Sequence, residues 1–413
     1  MKELKADVVV VGGGAAGLLA SGVVAKRGLS VLLAEPNKTL GRKLRITGKG
    51  RCNITNNCDT ETLMENIPVN ARFLHGAFSK FDSAAAMSFF EGLGVHMKCE
   101  RGNRVFPVSD KANDVADALM HYGRQNGVQI LHERVTAVET ENGAVSAVLA
   151  GDTRVFCRAV IICTGGVSYP GTGSTGDGYA LAKALGHTIT EPRASLVPLE
   201  SDDDYCAQLQ GFSLKNVRLR VYDDREKLVF EELGEMLFTH FGVSGPLVLS
   251  ASAHMRDFKN RRYRLSIDLK PGLDEKKLDA RILRDFDKFA NKEFKNSLGE
   301  LAGRAMIPVL VQLSGIPADT KVNSITKQQR AVLLNLFKGF PVSVRGPRPV
   351  AEAIVTSGGV NVREIDPRTM RSKLVEGLYF AGEVIDVDAY TGGFNLQIAW
   401  STAYTAACSV CSL

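Results

Sequence analysis

One stretch near the start of the chain limits its architecture more than any other. Asp7-Val-Val-Val-Val11 carries a continuous apolar run, the pattern of a parallel strand buried on both faces. It passes directly into Gly12-Gly-Gly14-Ala-Ala-Gly17, which satisfies the spacing GxGxxG. A helical pattern follows, with Leu18, Leu19, Val23 and Val24 apolar, and ends at Gly28. Ser30-Val-Leu-Leu-Ala-Glu35 then reads as a second strand closing on an acid. Each position has a physical task. Gly12 makes the tight turn, Gly14 lets backbone approach a pyrophosphate, and Gly17 lets helix and strand pack closely. The helix N-terminus at Ala15 and Ala16 favours negative charge. Glu35, 18 residues past Gly17, is placed to bind both ribose hydroxyls of an adenosine, and it repels a 2′-phosphate. The unit is a dinucleotide site that suits FAD or NAD, and the rest of the chain must separate them.

The segment Gly41-Arg-Lys-Leu-Arg-Ile-Thr-Gly-Lys-Gly-Arg-Cys-Asn-Ile-Thr-Asn56 sets five cations (Arg42, Lys43, Arg45, Lys49, Arg51) among glycines. Such a loop can wrap a pyrophosphate with backbone N–H groups and cationic side chains, and Thr47, Gly48, Gly50, Cys52 and Asn53 fall within it. A nucleic-acid patch is the competing reading. The scarcity of aromatics and the glycines favour a buried phosphate. Further on, residues 129–139, 144–150 and 153–157, separated by turn signals, read as a strand followed by a β-meander. Ala159-Val-Ile-Ile-Cys163 is another buried strand, ending at Thr164-Gly165-Gly166. Near the far end, Gly377-Leu-Tyr-Phe-Ala-Gly382-Glu383 repeats the strand, glycine and acid, and Gly393, Phe394, Asn395 and Leu396 open a second glycine-led helix. Its amides are expected to meet a flavin ring, with Glu383 reaching the ribityl chain.

The fold class expected is α/β: a Rossmann-like FAD-binding domain assembled from both chain ends, with an inserted β-rich domain and a helical subdomain. Residues 1–190 form its first part. Residues 191–273 read as the β-rich insertion, because 217–222, 228–231 and 263–269 alternate apolar and polar. Residues 274–340 turn helical and charged, and 341–413 return through the β-rich domain to complete the FAD-binding domain. Insertions of this kind roof the flavin and shape the substrate cavity, or are purely structural. A second GxGxxG, Gly171 to Gly176, has no acid at the end of a following strand and reads as a flavin-lining loop capping a helix from Asp177. NADH or NADPH, as a transient electron donor, would therefore dock without a Rossmann domain of its own.

Composition narrows the class of protein. No stretch approaches the roughly 18–20 apolar residues of a membrane span, and the run Val8–Val11 is too short for a signal peptide, so a cytoplasmic location is the default. A net charge of +6 permits anionic small molecules or nucleic acid and demands neither. The eight cysteines follow no disulfide or zinc framework, and no metal is expected. Cys408 and Cys411 have CxxC spacing at the end of a helical pattern, where reduced thiols are the plainer reading. Cys52 and Cys58 have five residues between them, against the four common in dithiol flavoenzymes. Trp400 reads as core.

The order of motifs resembles the glutathione-reductase-type FAD fold. More narrowly, the chain resembles the BaiN-like flavoprotein family, related to aminoacetone oxidase-like enzymes. The resemblance is carried by residues 41–56, TGGVSYPGTGSTGDGYALAKALGH (164–187), FTHFGVSGP (238–246), TSGGV (356–360) and FAGEVIDVDAYTGGFNLQIA (380–399). It implies FAD contacts at Ala16, Glu35, Arg42, Lys43, Gly48, Val135, Glu383, Asn395 and Leu396, with Val135 offering backbone bonds to adenine. His240, Tyr169 and Tyr390 are the candidates for substrate-side chemistry, each with a plain structural role as its alternative. The implied activity is NAD(P)H-linked reduction of carbon–carbon double bonds conjugated to a ketone, in small molecules such as 3-oxo bile acids or steroids. An amine or aminoketone oxidase using dioxygen, and a nucleic-acid-associated flavoprotein, are the alternatives; nucleic acid is the less favoured partner. The sequence does not give the oligomeric state.

Overall fold

The computed structural model describes residues 1–412. The chain divides into two compact units, Met1–Ser195 with the segment from Pro349 onward, and Leu196–Arg348. The first unit thus draws on both ends of the chain. Its centre is a five-stranded parallel sheet in the spatial order Leu378–Phe380, Ala159–Ile162, Val8–Val11, Val31–Ala34, Gln129–Leu131. The inner strands are apolar at every position, as strands covered on both faces are, and Val8, Val9 and Val10 are wholly buried.

Register turns this sheet into a site. Phe380, Ile162, Val11, Ala34 and Leu131 lie side by side across it. The residues that follow them in sequence therefore emerge together along one edge: Gly12, Glu35, Cys163-Thr164 and Ala381-Gly382. Ligands of open α/β sheets bind at this carboxyl edge. Helices Ala15–Lys26 and Phe394–Val410 pack against each other. Trp400 is fully buried, with its indole N–H donating to the Ile54 carbonyl at 2.9 Å.

The meander Val135–Glu141, Ala144–Ala150, Thr153–Phe156 forms as expected but gains a fourth strand, Lys2–Lys5, parallel to Thr153–Phe156. Three of its four residues are exposed, so apolar patterning gave no sign of it. The cationic segment expected as a loop is helical over Arg42–Gly50. Gly41, at φ 68°, caps it, and the buried Leu44 anchors its inner face. The helix breaks at Thr47, Gly48 and Lys49, where ψ reaches 149° and φ turns positive.

The second unit is an antiparallel seven-stranded sheet that includes Ser213–Asp223, Leu228–Thr239, Tyr263–Asp268 and Phe340–Val344. Helices Glu275–Lys288, Met306–Ser314 and Lys327–Lys338 cover one face, and Leu219, Leu265 and Ile267 share one core with Ile282, Leu333 and Phe337. The β-rich and helical stretches read separately in the sequence are two layers of one unit, which begins at Leu196 and ends at Arg348.

Candidate active site

A cavity of about 610 Å³ opens at the carboxyl edge of the parallel sheet, within the first unit. At one end the glycine loop and Glu35 meet. The Glu35 carboxylate accepts the Gly13 N–H at 2.8 Å, the Asn37 N–H at 2.9 Å and the Asn37 side-chain amide at 2.6 Å. Helix Ala15–Lys26 begins at Gly14 with no side-chain cap, so its first amides are free for an anionic ligand. A methyl group on Gly14 would meet no protein atom within 4 Å, whereas one on Gly17 would lie 1.9 Å from the Gly12 carbonyl oxygen. The first glycine faces open space and the second is a packing necessity.

At the other end, Lys43 Nζ lies 2.7 Å from Glu383 Oε2 and 2.7 Å from Ser168 Oγ. Glu383 Oε1 also accepts the Thr356 N–H at 2.9 Å. This four-residue clamp joins positions 340 residues apart and is about four-fifths buried at the two charges. Gly393, at φ 101°, starts the helix Phe394–Val410 without a side-chain cap, and a methyl group there would strike the Thr55 backbone at 2.3 Å. Asn395 uses its side chain on the turn before that helix, accepting the Ala389 N–H and donating to the Ala389 and Tyr390 carbonyls. Its side chain thus braces the turn that presents the helix start, and Asn395 itself lines the cavity.

The walls fit FAD on two counts. Two buried polar atoms, Asn53 Oδ1 and Thr164 Oγ1, belong to cavity-lining residues and have no hydrogen-bond partner among the described residues, as expected where a ligand supplies one. The two uncapped helix starts and the ribose acid supply donors and an acceptor of the right kind for a pyrophosphate and an adenosine. Most residues expected from the sequence line the cavity: Gly12, Gly14, Ala15, Ala16, Glu35, Arg42, Lys43, Thr47, Gly48, Arg51 and Asn53 on the N-terminal side, and Thr164, Gly165, Gly382, Glu383, Gly393, Asn395 and Leu396 beyond. Gly17, Gly50, Cys52, Val135, Gly166 and Phe394 are outside its wall. Gly166 packs too closely on Thr356 to admit a methyl group, at 2.3 Å. Asn37, Ser168 and Thr356 were missed, the last two because their bonds to Glu383 join residues far apart in sequence. Only the position of Asn37, two residues past the acid, could have flagged it.

Of the three candidates for substrate-side chemistry, Tyr390 lines the cavity and is half-buried. Tyr169 is exposed, with φ 51°, and is not among the lining residues. His240 is exposed in the second unit, its ring edge-on to Phe241 at 5.0 Å. All eight cysteines are free thiols. Burial pushes the Cys52 thiol up to about 12 and the Cys58 thiol up to about 11, so neither forms a thiolate at neutral pH. The Cys52→Ala/Cys58→Ala variant is expected to take electrons from a donor within about twofold of the parent rate, followed by flavin bleaching. A collapse of that rate would revive a dithiol mechanism.

The parallel sheet, the fingerprint loop and the cavity define a Rossmann-type FAD-dependent oxidoreductase. The chain belongs to the HI0933-like protein Rossmann domain family, whose profile matches residues 6–409. Among curated relatives, it is 31% identical over 402 residues to a ribosomal RNA dihydrouridine synthase of Escherichia coli (strain K12), covering 97% of each chain. It is 29% identical to a 3-dehydro-bile acid delta(4,6)-reductase of Clostridium scindens, covering 96% of this chain and 97% of the relative. The fold is also that of a solved 3-ketosteroid delta1-dehydrogenase from Sterolibacterium denitrificans, with a TM-score of 0.54 at 14% identity over 99% of both chains. No helix among the described residues is long and apolar enough to cross a membrane.

Proposed function

We propose that this protein is an FAD-dependent reductase of carbon–carbon double bonds conjugated to a carbonyl, and that its substrate is a uracil ring in ribosomal RNA. The observation that carries the reading is the near full-length likeness to relatives whose names describe one kind of chemistry. Dihydrouridine is uridine saturated at C5=C6, a bond conjugated to the C4 carbonyl. A Δ4,6 bond of a 3-oxo steroid has the same electronic form. Two of three such relatives, from Escherichia coli and Haemophilus influenzae, carry the RNA name. The charge supports RNA as well: the second unit holds 25 Lys and Arg against 20 Asp and Glu, most of the chain's excess. A steroid enone is the second reading, favoured by the bile-acid relative and by apolar lining at Phe106, Val387 and Leu396.

When bound, the flavin supplies hydride at its N5 position. NADH or NADPH delivers that hydride and docks transiently, since the chain has no second strand–GxGxxG–helix unit. In the balanced reaction, hydride adds at C6 of the uracil, a proton adds at C5, and NAD(P)H leaves as NAD(P)+. Tyr390 is the proton donor in this reading, because it alone among the three candidates is a cavity-lining residue. The clamp of Lys43, Glu383 and Ser168 keeps the far end of the cavity polar and fixed.

The test incubates flavin-loaded protein with NADH or NADPH and unmodified ribosomal RNA, alongside a 3-oxo-Δ4,6 steroid. Nuclease digestion and mass spectrometry then look for uridine heavier by two hydrogens. Saturated uridine with either donor is the expected result. Steroid turnover with no change in the RNA would replace this reading with the second one.

A further inference from the structure

We infer that the hairpin Met97–Pro107, together with Lys49, grips backbone phosphate of the RNA strand at the mouth of the cavity; this rests on the RNA reading above. Strands Met97–Glu100 and Arg104–Pro107 pair antiparallel, and the turn between them holds Arg101, Gly102 and Asn103, the last two at positive φ (75° and 57°). The tip is tied down. Asn57 N–H donates to the Asn103 carbonyl at 2.7 Å, and the Asn56 side-chain amide donates to both the Gly102 and the Gly392 carbonyls at 3.0 Å. Gly392 lines the cavity and immediately precedes the helix-starting Gly393, so the hairpin tip is anchored to the wall of the site.

The charges around the tip do not balance. Arg51 and Lys98 share the carboxylates of Glu100 and Asp110, with Arg51–Asp110 and Lys98–Asp110 both at 2.6 Å. Those two acids are thereby used up. Lys49, Arg101 and Arg104 remain exposed with no carboxylate partner among the described residues, and Lys49 and Arg104 line the cavity. Lys49 sits at φ 59° between Gly48 and Gly50, a conformation lysine rarely adopts, which turns it out of the broken helix. Arg104 is oriented by its Nε–H bond to the Arg101 carbonyl at 3.0 Å. Phe106, with the Arg51 guanidinium 4.2 Å from its ring centroid, forms the wall beneath.

This arrangement suits a strand more than a free nucleobase or a neutral steroid. An enzyme acting on a base in RNA must take that base out of its stack, and it can hold the flanking phosphates while doing so. Exposed cations beside the cavity supply that hold, and phosphate contacts set register without reading sequence.

The test uses flavin-loaded protein and a labelled stem–loop RNA with an unpaired uridine, read by fluorescence anisotropy across a salt series. The variant Lys49→Asn/Arg104→Gln keeps a residue tolerant of positive φ at position 49, and its melting temperature against the parent's reports folding. It is expected to bind RNA on the order of 10-fold more weakly. Its log–log salt slope should be shallower by about 1.4, from two contacts at roughly 0.7 each. The Arg104→Lys variant, which keeps the charge, should retain most of the parent slope. Parent-like affinity and slope in the double variant, with the parent itself binding and reducing RNA, would overturn this inference alone. No RNA binding by the parent overturns it together with the RNA reading, and steroid turnover by the same preparation identifies that case.

Discussion

The Gly17→Ala variant should purify colourless and should bind added FAD at least about 100-fold more weakly than the parent. Its new methyl group would lie 1.9 Å from the Gly12 carbonyl oxygen and 3.1 Å from the Gly12 carbonyl carbon, so backbone must move. Gly12 cannot yield freely. It is held at φ 104°, its N–H donates to the Ala34 carbonyl at 2.9 Å, and its own Cβ position abuts the Cys163 carbonyl at 2.7 Å. The displacement therefore falls on the loop that presents amides to the pyrophosphate. Misaligning two charge-assisted hydrogen bonds of about 1.5–3 kcal/mol each weakens binding by roughly 10²–10⁴. Overpacking should also lower stability by about 1–3 kcal/mol, visible as a lower Tm. Gly14→Ala is the internal contrast. Its methyl group meets no protein atom within 4 Å, so Tm should hold while FAD affinity falls, because the methyl enters the ligand's space. Equal FAD affinity in Gly17→Ala and the parent, by fluorescence titration, would show that the loop does not hold the cofactor.

The second large effect is expected at Tyr390. Tyr390 lines the cavity, and replacing it with Phe removes one hydroxyl and leaves the ring. Loss of a positioned proton donor costs on the order of 10²–10⁴ in rate. The loss should appear only when the reduced protein meets its unsaturated substrate, with flavin content and the rate of reduction by NAD(P)H retained. His240→Ala and Tyr169→Phe should change that step little, since neither residue lines the cavity. A Tyr390→Phe variant that saturates substrate at the parent rate removes Tyr390 from the chemistry.

What the sequence made readable followed from locality. Val8–Val11 and Ala159–Ile162 announce themselves as apolar runs, and the motif Gly12 to Gly17 with Glu35 carries its own geometric logic. Lys43 and Glu383 could each be picked out alone. Their ion pair could not, because the parallel register that brings residues 340 positions apart together is a property of the sheet. Ser168 and Thr356 stayed hidden for the same reason, being ordinary polar residues until the clamp forms. The strand Lys2–Lys5 lies on a sheet edge, where exposure erases apolar patterning. The segment from Arg42 was misjudged because its glycines suggested a loop. They stand instead at the cap and the break of a short helix, at Gly41 and Gly48.

The most direct test of the account is a single turnover. Flavin-loaded protein is reduced with light under anaerobic conditions, freed of donor, and mixed with unmodified ribosomal RNA. The oxidised flavin spectrum is expected to return, with one dihydrouridine formed for each flavin reoxidised. A flavin that stays bleached with RNA and with steroid enone, and regains its colour only with dioxygen, would contradict the account and mark the protein as an oxidase.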